Sequence, residues 1–192
     1  MFASVEKFQL LRAGISMRSK YTGKRKRVNF PFAVWVLEGT LIDTDGTDAA
    51  DLRAFLVQLE GERNSFRLKV PGHDKPSSGY TGPNGLVATA AAAGVTSLAT
   101  KSWSNSVPVL RKGDYFTIND ELKMATSTVS SSGTGTCTLD FQPQLRKGAL
   151  VNDVVVVQTP TMLMTGQDDD SGTWSLKRPV RHGIKLKLME DF

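Results

Sequence analysis

Few residues in this chain have the type and spacing that chemistry needs. His73 and His182 stand in the contexts PGHD and RHGI. Neither has a second histidine at helical spacing, so both read as surface residues in turns and not as metal ligands. Asp168, Asp169 and Asp170 form a carboxylate run in TGQDDDSGTW. A calcium loop needs ligands at alternating positions and a closing bidentate acid, which this stretch lacks, so a solvated loop is expected. The glycine pair of GTGTC, at 133–137, lacks the Lys-Ser/Thr ending and the following helix of a phosphate loop, and reads as a hairpin turn. Cys137 is the one cysteine; it rules out an intrachain disulfide and reads as a small strand residue in TGTCTLDF. The expectation is a protein that is not an enzyme, with no catalytic residues, no cofactor and no metal.

The sharpest charge feature is the run Lys24, Arg25, Lys26 and Arg27, beside Tyr21 and Gly23. Four cations in a loop could neutralise phosphates, dock on an acidic protein rim, or simply be solvated. They are the candidate protein-interface residues. The net charge of +5 and pI near 9.4 allow an anionic partner without requiring one. With 40% hydrophobic and 22% charged residues, the 192-residue composition is that of an ordinary globular chain. A chain of this length buries roughly 70% of its unfolded surface, enough for one or two compact domains. Lys7 and Arg12 interrupt the apolar residues of the first segment, which therefore lacks a secretory signal's core. No run of 18 apolar residues could span a bilayer, so no membrane insertion is expected and the cytoplasm is the expected place before assembly.

The elements that must position these residues are mostly strands. The first segment holds two strand-like stretches around the charged turn SKYTGKRKR, the second of them NFPFAVWVLEGTL, expected to be buried on both faces. A helix is expected over 48–60: Asp48 caps it, Leu52, Phe55, Leu56 and Leu59 form one apolar stripe, and Gly61 ends it. SFRLKV is a short strand that stops at Pro71. PGHDKPSSGYTGPNG reads as a crossing between units. LVATAAAAGVTSLATKSW is expected as two strands in spite of its alanines, and YFTINDELKMATSTV as a hairpin turning at Asn119-Asp120. CTLDFQP is a further strand, and VVVV, at 154–157, a buried one. The two LRKG sequences, at 110–113 and 145–148, read as similar corners of one barrel or sandwich. A half-exposed closing strand with Ile184, Leu186 and Leu188 on one face is expected to pair with the first segment.

The fold class expected is mainly β with one short helix, a β-rich α+β chain. Residues 1–71 plus 161–192 form a discontinuous β-sandwich or split-barrel outer domain, and 72–160 an inserted small barrel-like β domain. This order of features, AVWVLEGTL, DLRAFLVQLEGERNSFRLKVPG, then LRKGDYFTINDELKMATSTVSSSGTGTCTLDFQPQLRKG, PTMLMTG and KLKLMEDF, resembles the distal tail proteins of long-tailed bacteriophages. The resemblance covers most of the chain from about Val28. It implies a structural virion protein at the tail tip, self-associating into a ring, usually a hexamer. Such a ring joins the tail tube protein to the tail hub or tip proteins and leaves a channel for DNA in transit. A basic channel would grip phosphates, so the run 24–27 would face a neighbouring protein. The alternative is a nucleic-acid-binding β-barrel module using the loop 24–27 with Tyr21 or Tyr80. A third reading, glycan binding, would use Trp103 and Trp174 as platforms.

Overall fold

The structure, a computed structural model, describes residues 2–44, 47–167, 174–177 and 181–191. Strands dominate it. β1 (Phe2–Arg18) and β2 (Arg25–Thr44) form a long antiparallel hairpin, followed by α1 (Thr47–Leu59) and β3 (Phe66–Lys69). The middle of the chain supplies β4 (Gly85–Val87), β5 (Ser97–Lys101), β6 (Pro108–Leu110), β7 (Tyr115–Ile118), β8 (Glu121–Ala125), β9 (Val129–Ser130), β10 (Cys137–Gln142) and β11 (Val154–Val155). It closes with β12 (Thr161–Gly166), β13 (Trp174–Lys177) and β14 (Arg181–Glu190).

The first sheet runs β1-β2-β14-β12-β3, with β13 also on β14, so the closing strand pairs with the first segment as expected. In β14 the alternation puts Leu186 and Leu188 inside and Lys185 and Lys187 outside. The helix covers this sheet: Leu56 and Leu59 are buried with Trp35, Leu37, Met162 and Met164, and Leu52 and Phe55 pack at the margin. It stops where Glu60 and Gly61 take φ of 48° and 67°, the left-handed turn that glycine permits without strain. Asp48 lies within the first turn, and its side chain is outside the described residues.

The second sheet runs β11-β4-β5-β10-β8-β7, with β6 and β9 as a separate pair. Thr117 and Val156 exchange two backbone hydrogen bonds of 2.9 Å, which bring β7 beside the chain leaving β11 and nearly close a barrel. Its core holds Leu98, Phe116, Ile118, Leu139 and Phe141, with the two phenyl rings edge-on at 5.5 Å. The β7–β8 turn is at Asn119-Asp120, φ 50° and 64°, the twist that suits a two-residue hairpin. The alanine-rich stretch contains no helix: β4 and β5 flank it, and Ala91 bridges to Ala149.

Two expectations need correction. VVVV is not buried throughout: Val155 and Val157 point into the core, whereas Val154 is exposed on the barrel's outer side. β-branched composition marks a strand but does not say whether the outer face is covered. The LRKG sequences are also unlike. Leu110 and Leu145 are both buried, but Arg111 to Gly113 turn under the Asp114 carboxylate, which accepts the Arg111 N–H at 2.7 Å. Arg146 instead reaches into a charged cluster described below.

Cys137 is half-buried in β10, its Sγ 3.3 Å from the Thr100 hydroxyl. Burial pushes its thiol pKa above the ordinary 9.0, against the Thr100 hydrogen bond. Above pH 9.0 the unfolded thiol therefore ionises while the folded one keeps its proton, so stability falls as pH rises from there to the folded pKa; below it nothing is lost. In urea titrations the stability of the wild type minus that of Cys137→Ser is expected to be constant below pH 9 and to shrink above it. A difference that stays constant into the alkaline range would contradict this burial.

Candidate interaction surface

β14 pairs with β2 only as far as Val36, so toward the turn β2 has β1 as its one strand partner among the described residues. From Gly14 to Val28 every described side chain is exposed, and Tyr21 at the tip is fully so. The register fixes what each face of this ribbon carries. Ile15 lies opposite Val28 and Met17 opposite Lys26 on one face; Ser16 opposite Arg27 and Arg18 opposite Arg25 occupy the other. One face is thus apolar with a lysine, the other basic. Arg12, Arg18, Lys20, Lys24, Arg25, Lys26 and Arg27 stand between residues 12 and 28 with no acid among them.

The candidate interface residues therefore fall differently from expectation. Lys24 is in the turn, whereas Arg25, Lys26 and Arg27 begin β2 and point alternately to the two faces. Arg25 Nε–H donates to Ser16 Oγ at 2.7 Å. Like charges directly opposite each other, as Arg18 and Arg25 are, destabilise a strand pair, and an anionic partner relieves that repulsion. Other exposed large apolar side chains among the described residues are Leu11 on β1, Leu150, Val151 and Val154 on the barrel and Val57 on α1.

A second charged group lies where the two sheets meet. The Glu190 carboxylate is buried at the end of β14 and accepts from Leu122 N–H at 3.0 Å, from Trp35 N–H at 3.2 Å, and from the Arg146 guanidinium. Arg146 also donates to the Ala33 carbonyl at 3.0 Å. Beside it the Lys123 ammonium donates to Glu121 at 2.6 Å and to the Gln144 carbonyl at 2.8 Å, and Glu121 accepts the Arg146 and Lys147 N–H groups at 2.9 and 2.8 Å. Burial pushes the Lys123 pKa down, and the Glu121 hydrogen bond and charge oppose that shift. Trp35 Nε1–H adds a bond to the Leu122 carbonyl at 3.0 Å. The β8 residues thereby serve both bodies: Leu122 packs in the first core and Ala125 in the second. Buried charges survive because each has partners, and they hold the two sheets in one relation. Sequence reasoning placed Glu121 and Lys123 on a strand after the Asn119-Asp120 turn but missed this cluster. The available signal was Glu121 and Lys123 two apart on one strand face.

The remaining candidates divide. Trp103 is no platform: it is buried, its Nε1–H donates to Thr100 Oγ1 at 2.8 Å, and its ring lies edge-on to Tyr80. An aromatic in a polar stretch, TKSWSNS, looks exposed until the barrel closes over it. Tyr80 is buried too, its hydroxyl donating to the Pro83 carbonyl at 2.9 Å and accepting Ser104 N–H at 3.2 Å. That leaves Tyr21 alone of the two stacking candidates. His73 closes a turn as expected, its N–H donating to the Val70 carbonyl at 3.2 Å, but its side chain is half-buried, edge-on to Tyr115 at 4.7 Å. Asp168, Asp169 and Asp170 and the side chains of His182 and Trp174 lie outside the described residues. Among the described residues no group of three His, Cys, Asp or Glu side chains could hold a metal ion, and no helix is long and apolar enough to cross a membrane. No family model matches the chain, and no curated protein matches it.

Proposed function

We propose that this chain is a structural subunit of the tail tip of a long-tailed bacteriophage, closing into a ring at the distal end of the tail tube. In this reading residues 1–71 plus 161–192 form the ring domain, and 72–160 are an inserted barrel projecting from it. The ring joins the tube protein to the hub proteins around a DNA channel. The observation that carries the proposal is the free half of the β1–β2 hairpin. A two-stranded ribbon is marginal alone in water, and this one holds Ile15, Met17 and Val28 in solvent on one face. Such a ribbon fits a chain that is completed by neighbours. A ring also needs two different complementary faces on each subunit. The ribbon supplies one; Val57 on α1 and the Leu150, Val151 and Val154 patch are candidates for the other.

Native mass measurement over a range of concentrations tests this. The expected species is one closed multiple of the 20.9 kDa chain, persisting on dilution; a mass of 20.9 kDa at every concentration opposes the proposal. The basic face of the ribbon favours a second reading, nucleic-acid binding. It predicts a gel shift that weakens steeply between two salt concentrations, and it lacks a row of stacking aromatics.

A further inference from the structure

The ribbon has its complement on the same chain. In α1, Ala50, Asp51, Ala54, Val57 and Gln58 recur on the side away from the core, and all five are exposed. The two alanines leave a shallow apolar track beside Val57, which is 65% exposed. Asp51 lies on that face and Glu62 is exposed just beyond the helix end. Residues 43 to 63 carry six acids, Asp43, Asp45, Asp48, Asp51, Glu60 and Glu62, against Arg53 and Arg63, the latter paired with Glu60 at 2.8 Å. The lengths also agree. Five register pairs from Gly14↔Asn29 to Arg18↔Arg25 give a ribbon about 17 Å long, and the 13 residues of α1 give about 20 Å.

The two surfaces cannot meet within one molecule. Arg25 opens β2, Thr44 ends it, and α1 begins at Thr47. α1 folds back onto Trp35 and Leu37, and at about 3.3 Å per residue Trp35 stands roughly 23 Å along β2 from Val28, while the outer face of α1 turns away from that sheet. A basic apolar face at one end of β2 and an acidic apolar face turned away from the sheet make a head-to-tail contact between copies.

We propose that the apolar face of the ribbon, Ile15, Met17 and Val28, seats on the outer face of α1 of a second copy of this chain, with Lys24 and Lys26 meeting Asp51 and Glu62. This rests on the reading of the chain as a ring subunit and names the two faces that close the ring. The aliphatic side chains favour a protein occupant, because a nucleic acid would engage the cations and leave Ile15, Met17 and Val28 in water.

The test uses the full chain in three forms: Lys24→Glu/Lys26→Glu, Asp51→Lys/Glu62→Lys, and all four changes together. These side chains are exposed, so unchanged thermal unfolding serves as the control for folding. Each pair of reversals is expected to weaken self-association about tenfold or more, and the combination to restore most of it. In a Cys137→Ser background, Met17→Cys with Val57→Cys is expected to oxidise to intermolecular disulfides that trap the ring. If rings form but the helix reversals change nothing and no cross-link appears, this contact is wrong while the ring reading stands. If the wild type never self-associates, both fall. If ribbon reversal abolishes a DNA gel shift without touching self-association, the ribbon binds nucleic acid and this proposal is overturned.

Discussion

Replacing Glu190 by alanine is expected to destabilise the fold by about 4 kcal/mol, the cost of breaking a buried ion pair from one side. For a chain of this size that lowers Tm by roughly 8 to 16 °C. Three groups lose their acceptor together: the N–H of Trp35, the N–H of Leu122 and the guanidinium of Arg146. The first belongs to the β1–β2 side and the other two to the barrel side, so the loss falls on the junction between the sheets. Thermal unfolding is expected to show one transition in the wild type and two in the variant, with the barrel keeping its midpoint better. Glu190→Gln, which retains one carbonyl oxygen, is expected to cost less. A variant with unchanged Tm would mean that Leu122 and Trp35 hold the sheets together by apolar contact alone.

Gly85→Ala carries the other large effect. A methyl at Gly85 would sit 2.1 Å from Cζ2 and 2.3 Å from Cε2 of Trp103, inside the ring's van der Waals surface. The ring cannot retreat cheaply, since it is buried, bonded to Thr100 Oγ1 and edge-on to Tyr80. Overpacking of this kind is expected to cost about 3 kcal/mol, read as a lowered urea midpoint with unchanged slope. Trp103→Phe should offset part of it, so the two substitutions would combine non-additively. Gly133→Ala is the control: its methyl would meet nothing nearer than Ser106 Oγ at 3.9 Å, and almost no change is expected.

Many of the strand positions were legible because period-two alternation records which face is buried, whereas the order of the strands within each sheet was not. β5 shows it with Leu98 and Thr100 inside, and β14 with Leu186 and Leu188. The helix was legible from four apolar residues at helical spacing, and the β7–β8 turn from two residues that tolerate positive φ. Features made by contacts across long sequence separations were not. Trp103 looks like a lone aromatic among serines until Gly85 and Tyr80 close on it. Glu121, Lys123, Arg146 and Glu190 look like surface charges until three segments meet around them, and their burial is a property of the packing. The basic run was visible as charge, but its division between two faces of a ribbon required the register Met17↔Lys26 and Arg18↔Arg25.

The most direct measurement of the central claim is negative-stain imaging of the purified chain, alone and mixed with the tail tube protein. A ring with a central hole, seated on the tube end in the mixture, is the predicted result. Single particles the size of one chain in both samples would contradict the claim.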